Sequence, residues 1–364
     1  MDTTQPAKMD TTQPAKMDTT QPGKADKTQM AKMDTSQPTK MDKFKELTQE
    51  RVYSIVDYQF LDDNVELPPS IIGNRTPKND LATLETLPLE IIQMILVDID
   101  ISTLMTFHQV NARAAQVIEG IPEYKVIASY APKAIPAIVS AGLGHRISCV
   151  AFYHKLCTAH CENCGDFGGF IYLLTCTRVC HICLSHNDDY LPMLRNHAVL
   201  QFGITWSKIR TLPQMTSVPG RYTIHGYKRS QRITLVDSKA ARDAAIARHG
   251  SHAAMTQYLS HRLQAEAQKY QITRAFFGVA RRRMALIDDL KDSNPLRYMA
   301  VIRAPLWEKS TQTAQWGRHC KACLRPPNGL NKYLRQFSKE SFEAHLNECG
   351  PIRHGKHQVE EQTD

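Results

Sequence analysis

Six of the chain's ten cysteines fall between Cys157 and Cys183, in the run CTAHCENCGDFGGFIYLLTCTRVCHIC. Cys161 and Cys164 form one C-x2-C pair and Cys180 and Cys183 form another. The fifteen residues between the pairs give the spacing at which two such knuckles close one tetrahedral four-thiolate site around zinc. Gly165, directly after Cys164, suits a turn in which backbone N–H groups point at a thiolate. The apolar run Phe167 to Leu174 is expected to form the strand or short hairpin that joins the knuckles. Cys157, His160, Cys176 and His181 stay open, either as substitutes for one of the four or as ligands of a second ion.

The competing uses of such cysteines are less well matched to this chain. Disulfides need an oxidising compartment, and the N-terminus is a polar repeat with no apolar signal segment. A catalytic thiolate needs a base and an attack path, whereas paired knuckles sequester their sulfur on metal. No window approaches the ~18 apolar residues of a membrane span. The expectation is a soluble protein of the cytoplasm or nucleus.

Residues 1–40 are five copies of an octapeptide, MDTTQPAK and its variants. Four of the five units carry a proline and their only apolar side chains are Met and Ala, so burial cannot offset chain entropy, and residues 1–43 read as a disordered tail. Residues 44–83 read as a linker. They hold one apolar-spaced stretch, Phe44 to Phe60, that fits a helix, followed by Pro68, Pro69 and Pro77.

From Leu84 the sequence is LETLPLEIIQMILVDIDISTLMTFHQVNARAAQVIEGIPEYKVI. Pro88 and Glu90 suit a first helical turn, and Ile91, Ile92, Ile95 and Leu96 recur at helical spacing. Ser102 or Thr103 is placed to cap a second helix through Val110. A third is expected from Asn111 to Glu119, ending at Gly120. Helices this short and this apolar all round are expected to offer one face to another chain.

This segment resembles an F-box. The Leu-Pro-x-Glu-apolar-apolar opening stands as Leu87-Pro88-Leu89-Glu90-Ile91-Ile92, the following apolar position as Ile95, and the second part as Leu104 to Val110. The run VNARAAQVIEGIPEYKVI is similar to a fungal subset of F-box proteins in which the same cysteine cluster follows, and the resemblance extends over roughly residues 84–255. It implies an F-box at 84–130 that docks on a Skp-family adaptor, and through it on a cullin–RING ubiquitin ligase. The contact residues it implies are Leu87, Pro88, Glu90, Ile91, Ile92, Ile95, Leu104 and Val110.

The zinc-knuckle module is bounded at 131–220 and includes an expected helix at Leu194 to Phe202. His186, Asp188 and Asp189 read as a solvated turn. A basic helical region follows at 221–300. Between Pro219 and Arg283 there are 13 Lys or Arg against 3 Asp or Glu, so this window alone exceeds the chain's +9. Its first part, GRYTIHGYKRSQRITLV, fits a hairpin. Asp237 or Ser238 then caps a helix ended by Gly250, and another begins near Ser251 and extends toward Leu290. These charges suit nucleic acid or acidic partners, although aromatics are not interleaved as a stacking surface would require.

Near the C-terminus, Cys320 and Cys323 with His345 and Cys349 spell a C2HC zinc module at 315–352. His345 and Cys349 lie one turn apart on an expected helix from Ser338 or Ser341, with His319 as an alternative ligand. Phe337, Phe342 and Leu346 supply its small core. Residues 353–364 read as a loose tail.

The resulting expectation is a mainly α chain with small β and knuckle elements stapled by structural zinc. It has no catalytic residues of its own and serves as the substrate-receptor subunit of an SCF-type ligase, with an unidentified protein target. A zinc-dependent nucleic-acid-binding regulator is the alternative. Eight ligands in the interleaved RING order are absent, and four thiolates close the coordination sphere that a catalytic zinc would leave open.

Overall fold

The structure, a computed structural model, describes residues 40–50, 58–67, 80–223, 228–277, 294–324 and 332–358. Residues 1–39, the prolines Pro68, Pro69 and Pro77, and Arg281 to Arg283 lie outside these residues, whereas Lys40 to Lys43, read as the end of a disordered tail, are helical. Helix α1 (Lys40–Leu47) leads into the two-residue strand β1 (Thr48–Gln49), which pairs antiparallel with His319–Cys320. Phe44 and Leu47 pack into the small core of the C-terminal cysteine module. Residues 58–67 carry a single 3-10 turn, Leu61–Asn64. There Tyr58 stacks on Tyr298 with ring centroids 4.3 Å apart, Phe60 is buried against Phe170, and Asp62 and Asp63 both bind Arg303. The span 44–83 is therefore more than the expected linker. Its described pieces are held by partners some 240 to 270 residues away, which no local pattern can announce.

Six short helices follow. Pro88 is the N-cap of α2 (Leu89–Asp98), where Ile92 and Leu96, one turn apart, face inward. The cap of α3 (Ile101–His108) is Asp100, not Ser102 or Thr103, and its carboxylate accepts from the Thr103 amide at 2.9 Å. Asn111, expected as the start of the third helix, is the cap of α4 (Ala112–Gly120), accepting from the Ala114 amide at 2.8 Å. Pro122 opens α5 (Pro122–Tyr130), and α6 (Ala134–Ser140) and α7 (Cys149–Leu156) complete the set. Leu96, Leu104, Ile118, Ile138 and Phe152 belong to the same core as Ile171 and Val179 of the cysteine cluster. The boundary drawn at residue 130 thus does not separate two cores.

Strands β2 (Phe170–Tyr172) and β3 (Thr177–Val179) form the hairpin between the knuckles. Helix α8 (His181–His186) and strand β4 (Met193–Leu194) lead into α9 (Arg195–Phe202) and α10 (Trp206–Thr211). Strands β5 (Gln214–Thr216) and β6 (Thr234–Val236) join β4 in a sheet of order β4-β6-β5. Of the hairpin expected over residues 220–236, the described residues show one antiparallel bridge, Gly220 to Arg229, and β6 pairs with β4 and β5. Asp237 caps α11 (Ser238–His249) and Gly250 ends it in the left-handed region, both as expected. Helix α12 (His252–Phe277) lies against α11 and α9.

The chain then forms α13 (Pro295–Met299) and β7 (Val301–Arg303), which completes the sheet β3-β2-β7 with Ile171 opposite Ile302. A second hairpin, β8 (Leu306–Glu308) with β9 (Thr313–Gln315), precedes β10 (His319–Cys320). Helix α14 (Lys339–Cys349) is capped by Ser338, and a terminal hairpin follows of β11 (Ile352–Arg353) and β12 (Lys356–His357). The protein is mainly helical with small sheets and two cysteine-rich clusters.

Arg178 ties three of these parts together. It is completely buried and donates to the carbonyls of Lys155, Gly168, Ala304 and Pro305 at 2.6–3.1 Å. Burial pulls its pKa down to about 10.

Candidate metal centres and an exposed apolar helix face

Cys161, Cys164, Cys180 and Cys183 converge with their sulfur atoms within 4.8 Å of one another; Cys164 is exposed and the other three are buried. Sγ of Cys164 and Sγ of Cys180 are 3.6 Å apart. Four sulfurs at ~2.3 Å from one ion would be spaced by ~3.8 Å, so the group is already near tetrahedral size. The local fold follows from the knuckles. Gly165 takes φ +83°, which lets its amide reach the Cys161 carbonyl at 2.9 Å. Cys180 is the N-cap of α8, its sulfur accepting from the Cys183 amide at 3.3 Å, while the Asn163 side-chain amide donates to Cys183 Sγ at 3.1 Å.

These contacts favour negative sulfur. The Cys161 pKa is drawn down to about 4, first by a hydrogen bond from the Cys180 thiol and further by the amides of Cys164, Cys180 and Asn163. The same hydrogen bond pushes Cys180 upward, and burial raises Cys183 to about 12. Closely packed buried sulfurs cannot all ionise without a cation among them. None of the ten cysteines forms a disulfide.

The open residues fall outside this group. His160 donates Nδ1–H to the Gly165 carbonyl at 3.0 Å. His181 is buried between aromatic rings, facing Tyr58 and Phe170, and desolvation drives its pKa down to about 3. Burial raises the thiol pKa of Cys157 and takes that of Cys176 to about 11. Asp188 and Asp189 serve as ion-pair partners of Arg297 and Arg242.

The second centre consists of Cys320, Cys323, His345 and His357. His357 Nε2 lies 3.4 Å from both sulfurs, and His345 Nε2 lies 3.5 Å from Cys323 Sγ. A tetrahedral ion with ~2.3 Å bonds to sulfur and ~2.05 Å bonds to nitrogen separates its sulfur and nitrogen ligands by ~3.5 Å, which these distances match. His357 donates Nδ1–H to the Gly350 carbonyl at 2.8 Å, leaving the Nε2 lone pair aimed at the sulfurs. The Cys320 pKa is lowered to about 3, chiefly by a hydrogen bond from Cys323.

This geometry corrects the expected C2HC set. Cys349 lies one turn beyond His345 and groups with His345 and Glu348 instead of with Cys320 and Cys323. The fourth place is taken by His357, from a stretch read as a loose tail. His354 and Gly355 both have positive φ, as a two-residue hairpin turn of the primed kind requires, and the pair sits between the short strands β11 and β12. His319, the alternative ligand, is buried and directs Nδ1 to the Tyr333 carbonyl at 3.2 Å.

The third feature lies on α2 and its flanks. Leu84, Leu87, Leu89, Ile91, Met94, Ile95 and Val110 are exposed large apolar side chains, with Ile95 at 51% and Val110 at 64%. Pro88 and Glu90 are exposed beside them. Two residues expected on this face belong elsewhere: Ile92 and Leu104 are buried at 5% and 0%. The reason is helical phase, since Ile92 shares the inward stripe with Leu96, and Leu104 shares one with Ile101.

Among the described residues no helix is long and apolar enough to cross a membrane. No family model, curated protein or solved structure matches the chain.

Proposed function

We propose that the chain is a non-catalytic substrate-receptor subunit of an SCF-type cullin–RING ubiquitin ligase, and that its two Cys/His centres hold structural zinc. The observation that carries this reading is the exposure of Leu89, Ile91, Met94 and Ile95 on α2, with Leu87 exposed just before it, while Ile92 and Leu96 of the same helix are anchored in the core. Groove-filling apolar helices are a recurrent means of partner binding. A cluster this apolar would otherwise remain in water. The likeness of the Leu87-to-Ile92 opening to an F-box gives the partner its class, a Skp-family adaptor.

Zinc is favoured by the ligand chemistry, four sulfurs in one centre and two sulfurs with two imidazoles in the other, both at tetrahedral size. Neither set includes a carboxylate or leaves a place for substrate, which suits staples better than catalysis. The test is co-purification of the full chain with a Skp-family adaptor. Ile91→Asp and Ile95→Asp should each abolish capture while bound zinc stays at two per chain. Equal capture by the variants would sink the reading.

A nucleic-acid-binding function is the second reading, favoured by the exposure of Lys208, Arg210, Arg221, Lys228, Arg229 and Arg232, with Trp206 exposed just before them in sequence. It requires retention on DNA or RNA that falls steeply between low and moderate salt.

A further inference from the structure

His345 belongs to two groups at once. One joins it to Cys320, Cys323 and His357; the other joins it to Glu348 and Cys349. The helix α14 thus carries, within one turn, a histidine in the centre and a thiol beside it. The ligand that completes the centre comes from outside that helix, on the hairpin β11–β12.

The connection between the two sources is two residues, Gly350 and Pro351. Gly350 follows Cys349 directly, takes φ +84°, and passes so close to the residue after β12 that a Cβ there would lie 1.9 Å from the Gln358 carbonyl oxygen. The hairpin beyond it is held by two strand residues on each side, and β11 and β12 are largely solvent-facing. A cavity of about 150 Å³ borders His345 and Glu348. The Nδ1 of His345 is buried with no hydrogen-bond partner, so the ring is not locked from that side.

Resting on the metal reading above, we propose that Cys349 and His357 are alternative fourth ligands of the C-terminal centre. In the exchange the bond from metal to His357 Nε2 breaks, a bond from metal to Cys349 Sγ forms, and the thiol proton leaves to solvent. A centre of two sulfurs and two nitrogens becomes one of three sulfurs and one nitrogen with one more negative charge, and the hairpin is released from the metal. The H-x3-C pair on α14 then completes the site alone, through ligands one helical turn apart. Chemical capping of Cys349 by an electrophile or oxidant holds the centre in its His357 form, so the exchange gives the end of the chain a thiol-sensitive state.

The experiment loads the full-length chain with cobalt in place of zinc and reads two quantities. These are cobalt per chain and the near-ultraviolet charge-transfer intensity, which grows with the number of cobalt–thiolate bonds. The wild type should hold two ions and six such bonds, four in the first centre and two in the second. His357→Ala should keep both ions and gain intensity by about one part in six, to seven bonds. Cys349→Ser should match the wild type, and Cys349→Ser with His357→Ala should lose one ion. Loss of one ion in His357→Ala alone, or retention with unchanged intensity, would overturn the exchange. A third ion in the wild type would overturn it in favour of a separate cation site at His345, Glu348 and Cys349. Fewer than two ions in the wild type would overturn the metal reading itself.

Discussion

The Nδ1–H of His357 donates to the carbonyl of Gly350 at 2.8 Å, and this one hydrogen bond orients the imidazole whose other nitrogen faces Cys320 and Cys323. The position of the carbonyl depends on Gly350 having no side chain, because a Cβ there would collide with backbone at Gln358. Gly350→Ala is therefore expected to displace the hairpin and weaken the C-terminal centre. Supporting contacts of this kind change metal affinity by roughly 10–100-fold. A chelator titration that follows release of the second ion measures it, and an unchanged midpoint would show that the hairpin does not orient the ligand.

The two sides of α2 should respond oppositely to the same chemistry. Ile95→Asp changes an exposed residue and is expected to shift stability by no more than ~0.5 kcal/mol. Ile92→Asp buries a carboxylate with no partner and should leave no cooperative unfolding transition. Leu104→Ala, also in the core, should cost about 2–5 kcal/mol. Urea unfolding of the three variants checks the assignment, and a strongly destabilised Ile95→Asp would move that residue from the surface into the core.

Arg178 is expected to be intolerant of any replacement. Arg178→Met leaves four carbonyls, three of them in fully buried hydrogen bonds, without their donor and should cost about 3–5 kcal/mol. Arg178→Lys should rescue little, because one ammonium cannot span carbonyls that a planar guanidinium reaches from several nitrogens. The midpoint of urea denaturation for each variant is the measurement, and a loss under ~1 kcal/mol would mean that water replaces the guanidinium.

His181 gives the fold a calculable acid sensitivity. Its folded pKa is depressed to about 3 by burial, while the unfolded chain binds the proton at the ordinary 6.5. Its contribution is fully present above pH 6.5 and is lost as pH falls from there toward 3. At pH 5 the loss is roughly 2 kcal/mol. His181→Phe should abolish this part of the pH dependence, and comparing the two proteins cancels the acid release of metal that both share. Parallel stability curves between pH 7 and 5 would refute it.

The first centre was readable from the chain because every element of it is local. The C-x2-C spacing named the ligands, Gly165 marked the turn, and the apolar stretch between the pairs became the β2–β3 hairpin. The helix start at Asn111, the cap at Asp237 or Ser238, the start at Ser338 or Ser341 and the stop at Gly250 were legible to within a few residues for the same reason: each needs only local groups, and the structure selects Asn111, Asp237 and Ser338 as the caps. The second centre was half readable. Cys320, Cys323 and His345 were found, but His357 depends on a two-residue turn whose partner strands are too short to carry an alternating pattern. The inward phase of Ile92 and Leu104 was hidden because apolar residues lie all round these helices, so periodicity alone did not choose a face. Tyr58, Phe60 and Asp62 read as linker because their partners, Tyr298, Phe170 and Arg303, are remote in sequence.

The pairing of Thr48 with Cys320 also sets an order of events during synthesis. At roughly 5–20 residues per second, the strand containing Thr48 leaves the ribosome about 15–55 s before its partner exists. For that interval Phe44 and Leu47 have no cysteine module to cover them. The part of the folded unit made first is thus among the last to be completed, and chaperones have their longest access to the chain at the α1 segment.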